Sequence, residues 1–234
     1  TGTPVAVGSS KFPLQVGTSG CSFTVDVGAP ASLFDYLPRT AGSNWSYQLD
    51  GVADDSVLVR AKATSVTIGG NVYVVFEATE DAALGFGDFG KYRKAGSNYH
   101  THVDLGDYFQ LDDTLSVDYI FLKDNVAAGA TWMSGNINGA VGGIPVSIRI
   151  VFTIDQKDVA VTVNGTDYTN VIVVNEKYEA DFGTGFFDIT DQIGYYKSYY
   201  ARDIGLIKQD YYYEDANPNP PVFFRQDIRR HQVL

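Results

Sequence analysis

The sequence predicts an all-β protein of antiparallel sheets joined by hairpins, with little helix. A curved sheet, an open barrel and a sandwich all satisfy that pattern. Three observations carry it. Strand formers dominate, with 26 Val against 12 Leu, and with 16 Tyr, 14 Phe and 17 Thr. The acids are 23 Asp against five Glu, and Asp favours turns where Glu favours helices. Apolar residues recur at period two in short runs, and no 12-residue window shows a capped 3.6-residue period.

Residues 1–30 read as a separate β-hairpin. Lys11–Val16 alternates, with Phe12, Leu14 and Val16 on one face. Gly17-Thr18-Ser19-Gly20 turns the chain, and Cys21–Val27 alternates again, gathering Cys21, Phe23, Val25 and Val27. Two strands alone are marginal in water. This piece is therefore expected to dock on the main domain or to be the tail of a β-sandwich unit cut away upstream. Gly28-Ala29-Pro30-Ala31 reads as a linker.

Residues 31–234 form the main domain. Leu33–Leu37, before Pro38, has room for one helical turn. Trp45–Leu49, Ser56–Thr67 and Val72–Glu77 are strands, with Gly69-Gly70-Asn71 turning the chain between the last two. Lys91–Lys94 and Tyr99–Val103 flank a turn at Ala95-Gly96-Ser97-Asn98. The clearest strand is Ile144–Ile154, whose even positions (Ile144, Val146, Ile148, Ile150, Phe152, Ile154) are all apolar and are expected to face the core. Val159–Val163, Asn164-Gly165 and Tyr168–Val174 make a hairpin with an Asn-Gly turn. Tyr195–Ala201, the turn Asp203-Ile204-Gly205, Leu206–Tyr213, the Asn217–Pro221 loop and Phe223–Val233 close the chain.

A length of 234 residues suffices to bury a core without disulfides or metals, and the composition is 44% hydrophobic and 19% charged. No run of about 18 apolar residues offers a transmembrane helix. The 17 basic against 28 acidic residues give a net charge of −11, which phosphate backbones repel, so nucleic acid is excluded as a partner. The lone Cys21 has no internal disulfide partner and is expected to be a buried small residue. The chain opens mid-pattern at Thr1-Gly2-Thr3-Pro4, as a mature or trimmed chain does, so the missing signal segment is weak evidence for the cytoplasm.

Several constellations resemble chemical sites. Gly85-Phe86-Gly87-Asp88-Phe89-Gly90 matches a dinucleotide fingerprint, but Lys91–Gly96 reads as strand and turn where a helix is required. A flexible loop is expected there, and no cofactor. His100 and His102 share one strand face near Asp104 and Asp107, short of the three or four ordered ligands a transition metal wants, so no metal site is expected. Asp54-Asp55, Asp112-Asp113 and Asp104/Asp107 offer carboxylates, none of them singled out as a hydrolytic pair. Asp50, Asp54 and Asp55 surround Gly51 without the spacing of an EF-hand loop. No G-x-S-x-G elbow is present, and no catalytic residue is assigned.

The richest signal is aromatic. Tyr195, Tyr196, Tyr199, Tyr200, Tyr211, Tyr212 and Tyr213 fall within 19 residues, followed by Phe223 and Phe224. Tyrosines on both faces of neighbouring strands leave some exposed, and exposed rings stack on sugars or apolar ligands. Tyr199, Tyr200, Tyr211, Tyr212 and Tyr213 are the candidate ligand-binding residues. Tyr211 and Tyr213 are expected on one face, with Tyr212 on the other.

Five segments carry a family resemblance. They are Leu33–Pro38 with Asn44–Tyr47; Tyr92–Lys94 with Asn98-Tyr99; Tyr119–Asp124 with Gly129–Trp132; Val161–Val171; and Tyr199–Lys208. Together they resemble a family of exported, often lipid-anchored β-rich proteins of Bacteroidota, in which a Tyr-Tyr-Ala-x-Gly-x-Gly-Leu-Ile-Lys hairpin closes the domain. Asp203 stands here where Gly is usual, and Asp tolerates the same left-handed turn. The resemblance implies export and a β fold, and brings no catalytic residues; attachment to the cell surface is expected with it. The expected function is a non-enzymatic binding or accessory module, with glycan or another surface protein as partner. The alternatives are a polysaccharide hydrolase using an Asp pair and a carrier of a lipid-like ligand. A flat tyrosine strip distinguishes the binder, facing carboxylates in a cleft the enzyme, and a deep apolar cavity the carrier.

Overall fold

The computed structural model describes residues 8–16, 19–27, 34–51, 56–80, 85–213 and 221–234. Strands β1 (Gly8–Val16) and β2 (Ser19–Val27) pair only with each other, in the register Phe12↔Phe23 and Leu14↔Cys21. Cys21, expected to be buried, is exposed, because a two-stranded sheet has no second layer to cover it.

The remaining strands form one antiparallel sheet of 14, nearly closed into a barrel. They are β3 (Asn44–Leu49), β4 (Val57–Ile68), β5 (Asn71–Thr79), β6 (Gly87–Ala95), β7 (Asn98–Asp104), β8 (Ser116–Lys123), β9 (Thr131–Met133), β10 (Ile137–Val141), β11 (Ile144–Val163), β12 (Thr166–Asp181), β13 (Phe187–Asp188), β14 (Tyr195–Ala201), β15 (Gly205–Tyr212) and β16 (Val222–Gln232). The order around the barrel is β10-β11-β12-β14-β15-β16-β3-β4-β5-β6-β7-β8, with β9 also on β11 and β13 on β12. The chain is thus an up-and-down meander in which β16 returns to pair with β3. One helical turn, α1 (Thr190–Ile193), lies between β13 and β14. Among the described residues no helix is long and apolar enough to cross a membrane.

Side chains close the seam between β8 and β9. Trp132 Nε1 donates to Ile120 O at 2.7 Å. The Phe152 ring stacks on Tyr119 of β8 at 5.7 Å and on Trp132 of β9 at 5.5 Å. At one end the segment 34–40 crosses the opening. Asp203 N donates to Asp35 O at 2.6 Å, and Tyr36 N donates to Tyr99 Oη at 2.9 Å. The Tyr99 hydroxyl donates in turn to the buried Asp124, which Lys94 pairs at 3.2 Å. The 105–115 loop covers the other end, with Leu105 and Phe109 buried against Tyr178.

Most strands lie where the period-two pattern places them. Val146, Ile148, Ile150, Phe152 and Ile154 are buried as expected, but Ile144 is 60% exposed. Ile144 pairs with Val141 across the Gly142-Gly143 turn, beyond the barrel wall. The strand also runs on to Val163, bending through register shifts at Ile154, Gln156 and Val159. The Asn164-Gly165 turn forms as expected, with positive φ at both residues. Its tip reaches β16, where Asn164 Nδ2 donates to Ile228 O at 2.9 Å. Residues 34–40 hold no helical turn, being tied to other elements by the bonds above. The loop expected around the glycine fingerprint is instead β6 from Gly87 onward. The Gly28–Ala31 linker, Leu33 and most of the Asn217–Pro221 loop lie outside the described residues.

The two faces of β11 give a direct test. Ile148→Asp should abolish cooperative thermal unfolding, since an unpaired buried charge costs several kcal/mol. Arg149→Ser loses a partly exposed pair with Glu179 and a cation–π contact on Phe186, and should cost about 1 kcal/mol. Equal melting of the two variants would reverse the register.

Candidate functional site

The barrel interior holds a cavity of about 290 Å³ that opens to solvent past Phe89. Its walls come from the inward positions of most strands. Trp45 and Tyr47 of β3, Val59 of β4 and Phe76 of β5 line one side. Tyr92 of β6, Thr101 and Val103 of β7, and Tyr119 and Phe121 of β8 line the next. Glu176 of β12, Tyr200 of β14, Leu206 and Gln209 of β15 and Gln226 of β16 complete the ring, and Leu37 of the crossing segment forms the floor. Phe89 stands at the rim, 49% exposed. It is the extra residue of a bulge, Phe76 facing Gly90 and Glu77 facing Asp88, and the bulge turns its ring inward. Gly90 is required beside it, because a Cβ there would lie 2.8 Å from the Tyr92 ring.

The rings meet at mixed angles, two of the four pairs edge to face. Trp45 stacks on Phe76 at 5.7 Å, Phe76 meets Tyr92 at 4.9 Å, Tyr92 meets Phe121 at 5.8 Å, and Phe121 meets Tyr200 at 5.8 Å. Two tyrosine hydroxyls are anchored on the frame. Tyr47 donates to Leu206 O at 2.9 Å, and Tyr108 outside the cavity donates to Tyr178 at 3.0 Å.

Glu176 is the one acid of this lining, and the lining has no base. Its cross-strand neighbours are Phe152 and Tyr196. The Tyr178 hydroxyl donates to its Oε1 at 2.8 Å. Removal from bulk water raises its pKa from 4.5 to about 7, against the smaller lowering effect of the Tyr178 bond. Burial likewise pushes Tyr92 up to about 12 and raises Tyr47 and Tyr200 further.

The five candidate tyrosines divide between two faces. Tyr200 lines the cavity, and Tyr211 lies on the same inward side, opposite Tyr196, its hydroxyl donating to Ile193 O at 2.7 Å. Tyr199 and Tyr212 point outward. Tyr212 stacks on Tyr195 at 4.8 Å, and Lys208 covers Tyr199 at 5.1 Å. Tyr213 is 46% exposed and shares Phe223 with Tyr211, so 211 and 213 lie together as the alternation requires.

Most of the polar candidates are committed to the frame. His100 Nδ1 lies 2.9 Å from Arg93 and 3.2 Å from Asp118 Oδ1, and its pKa is lowered by burial and by the Arg93 charge. The His102 Nδ1 is buried without a hydrogen-bond partner. Among the described residues no three His, Cys, Asp or Glu side chains converge as a metal centre needs. Asp104 accepts backbone N–H bonds from Gly106 and Leu115, which lower its pKa. Asp112 accepts from Gly142 and Gly143, both at 2.8 Å, and so braces the β10–β11 turn. Asp50 accepts from Arg225 N at 2.7 Å, while Asp54 and Asp55 lie outside the described residues.

Sequence reasoning missed Glu176, although a signal exists. The even positions of β12 run Ile172, Val174, Glu176, Tyr178, Ala180, a single acid on an apolar face. No family model and no curated protein matches the chain. Among solved structures, the chain is similar to one described as a "putative lipoprotein" from Parabacteroides distasonis. That likeness has a TM-score of 0.48 at 11% identity and covers 86% of this chain and 100% of the other.

Glu176 should make stability depend on pH in a definite direction. Its folded pKa of about 7 lies above the unfolded 4.5, so the folded state binds the extra proton between them. The contribution is full below the unfolded value and is lost as pH rises through about 7, at most about 3 kcal/mol. Urea unfolding at pH 5 and pH 8 should show that loss in the wild type and its absence in Glu176→Gln. Parallel pH dependence in the two proteins would place Glu176 in contact with bulk water.

Proposed function

We propose that this chain is a non-enzymatic binding module of an exported, surface-associated protein, and that its ligand is a small molecule held inside the barrel. The observation that carries this reading is the cavity. It has aromatic walls and a few placed polar groups, namely Glu176, Gln209, Gln226 and Thr101, the usual make-up of a small-molecule site. Its volume equals that of roughly ten waters at about 30 Å³ each, so the ligand is compact. Export and surface attachment rest on the segments, Tyr199–Lys208 above all, that resemble exported proteins.

Two other occupants fit less well. A glycan on the outer face meets rings already covered, Tyr195 by Lys177, Tyr199 by Lys208 and Tyr212 by Tyr195. Hydrolysis by an acid pair needs a second carboxylate at the cavity, where Glu176 is alone. A long lipid chain exceeds the space, though its apolar methylenes suit the walls.

A panel of small fragments and saccharides, screened by ligand-observed NMR and thermal shift, tests the reading. Compounds of roughly ten non-hydrogen atoms should bind saturably. Thr101→Phe, which fills the cavity from β7, should abolish that binding, while the double variant Tyr199→Ala, Tyr212→Ala on the outer face should leave it intact. The reverse pattern would move the site to the outer tyrosines and support glycan. No binder in the panel would sink the internal site.

A further inference from the structure

The chemistry of the lining also selects a charge. We propose that the ligand of this cavity is a small organic cation, an amine or quaternary ammonium group seated among the rings of Trp45, Phe76, Tyr92, Phe121 and Tyr200 and against the Glu176 carboxylate. The proposal rests on the internal site argued above and adds the class of its ligand.

Three features carry it. Aromatic faces hold negative charge density and attract cations, most strongly where water is excluded. Elsewhere the protein satisfies that attraction itself. Lys177 covers Tyr195, Lys208 covers Tyr199, and Arg93 covers Tyr73. Among the described residues, the five cavity rings carry none of the chain's own cations. The second feature is the lining's single acid without a base, which disfavours an anionic ligand and leaves one negative charge uncompensated. The third is the net charge of −11, which steers cations towards the protein.

The titratable groups facing Glu176 are all tyrosines. Tyr178 comes from its own strand, Tyr108 from the 105–115 loop, Tyr119 from β8, and Tyr196 and Tyr200 from β14. Each stays neutral across the physiological range, its pKa raised chiefly by burial. No neighbouring charge therefore compensates Glu176 when it ionises, and an entering ammonium group supplies the missing one. The cation binds the ionised form and displaces the proton held with a pKa of about 7. Its affinity should therefore rise about tenfold from pH 6 to pH 8, as the ionised fraction does.

Choline and its neutral isostere 3,3-dimethyl-1-butanol test the charge alone. Calorimetry at pH 8 should show choline binding at least tenfold more tightly than the alcohol, with proton release on binding near pH 7. Glu176→Gln should erase most of that preference while keeping the affinity for the alcohol, which also shows that the variant folds. Equal binding of the two compounds would overturn the cation and leave the internal site standing. Binding of neither would also overturn the cation, and the fragment panel above then decides whether the cavity binds anything.

Discussion

Closure of the sheet is the constraint on which the rest of this structure depends. Most of the barrel wall is joined by backbone ladders, but β8 and β9 meet through side chains. Phe152 lies between Tyr119 and Trp132, and the Trp132 indole donates across the gap to Ile120 O. Stacked rings of this kind contribute about 0.5–1.5 kcal/mol per pair beyond their burial. Without closure the sheet would present its inward face, and every residue of the cavity, to water. The crossing segment 34–40 and the 105–115 loop complete the exclusion at the two ends, through the Tyr36–Tyr99–Asp124–Lys94 chain and the packing of Phe109 on Tyr178.

Exclusion of water gives the inward side chains their chemistry. On an open sheet Glu176 would ionise as any surface carboxyl does. Inside, desolvation outweighs its bond from Tyr178 and holds the proton up to about neutrality. The outer face obeys the opposite rule. There the acids and bases pair with one another, Lys197 with the partly exposed Asp155, and Lys208 and Arg225 together with the buried Asp210, and tyrosine rings take lysines on their faces. The same residue type, tyrosine, serves as covered surface on one side of β14 and as cavity wall on the other.

Local pattern made much of the fold legible. The buried even positions from Val146 to Ile154, the Asn164-Gly165 turn and the left-handed Asp203 all follow from period or turn chemistry. What the pattern hid depends on distant partners. Strand β8 runs Ser-Val-Asp-Tyr-Ile-Phe-Leu-Lys, and its alternation dissolves where a register shift opposite Tyr99 and His100 inserts an extra residue. Strand β6 begins inside a glycine-rich run because Tyr92 needs the space over Gly90. The exposed end of the Ile144 strand reflects a hairpin that projects past the wall, which only the pairing of β10 and β11 reveals. For the site, tyrosine density pointed to β14 and β15 and so reached Tyr200. The division of those tyrosines between two faces, and the significance of one acid on β12, required the closed sheet.

The central claim is that an ionisable carboxyl stands desolvated in an aromatic cavity. Carbon-detected NMR of the Glu176 side-chain carboxyl, followed through a pH titration of the folded protein, measures this directly. The midpoint should fall at about 7, and saturation with choline should move it downward. A midpoint near the ordinary 4.5, unmoved by choline, would show that water reaches Glu176 freely and would contradict the account.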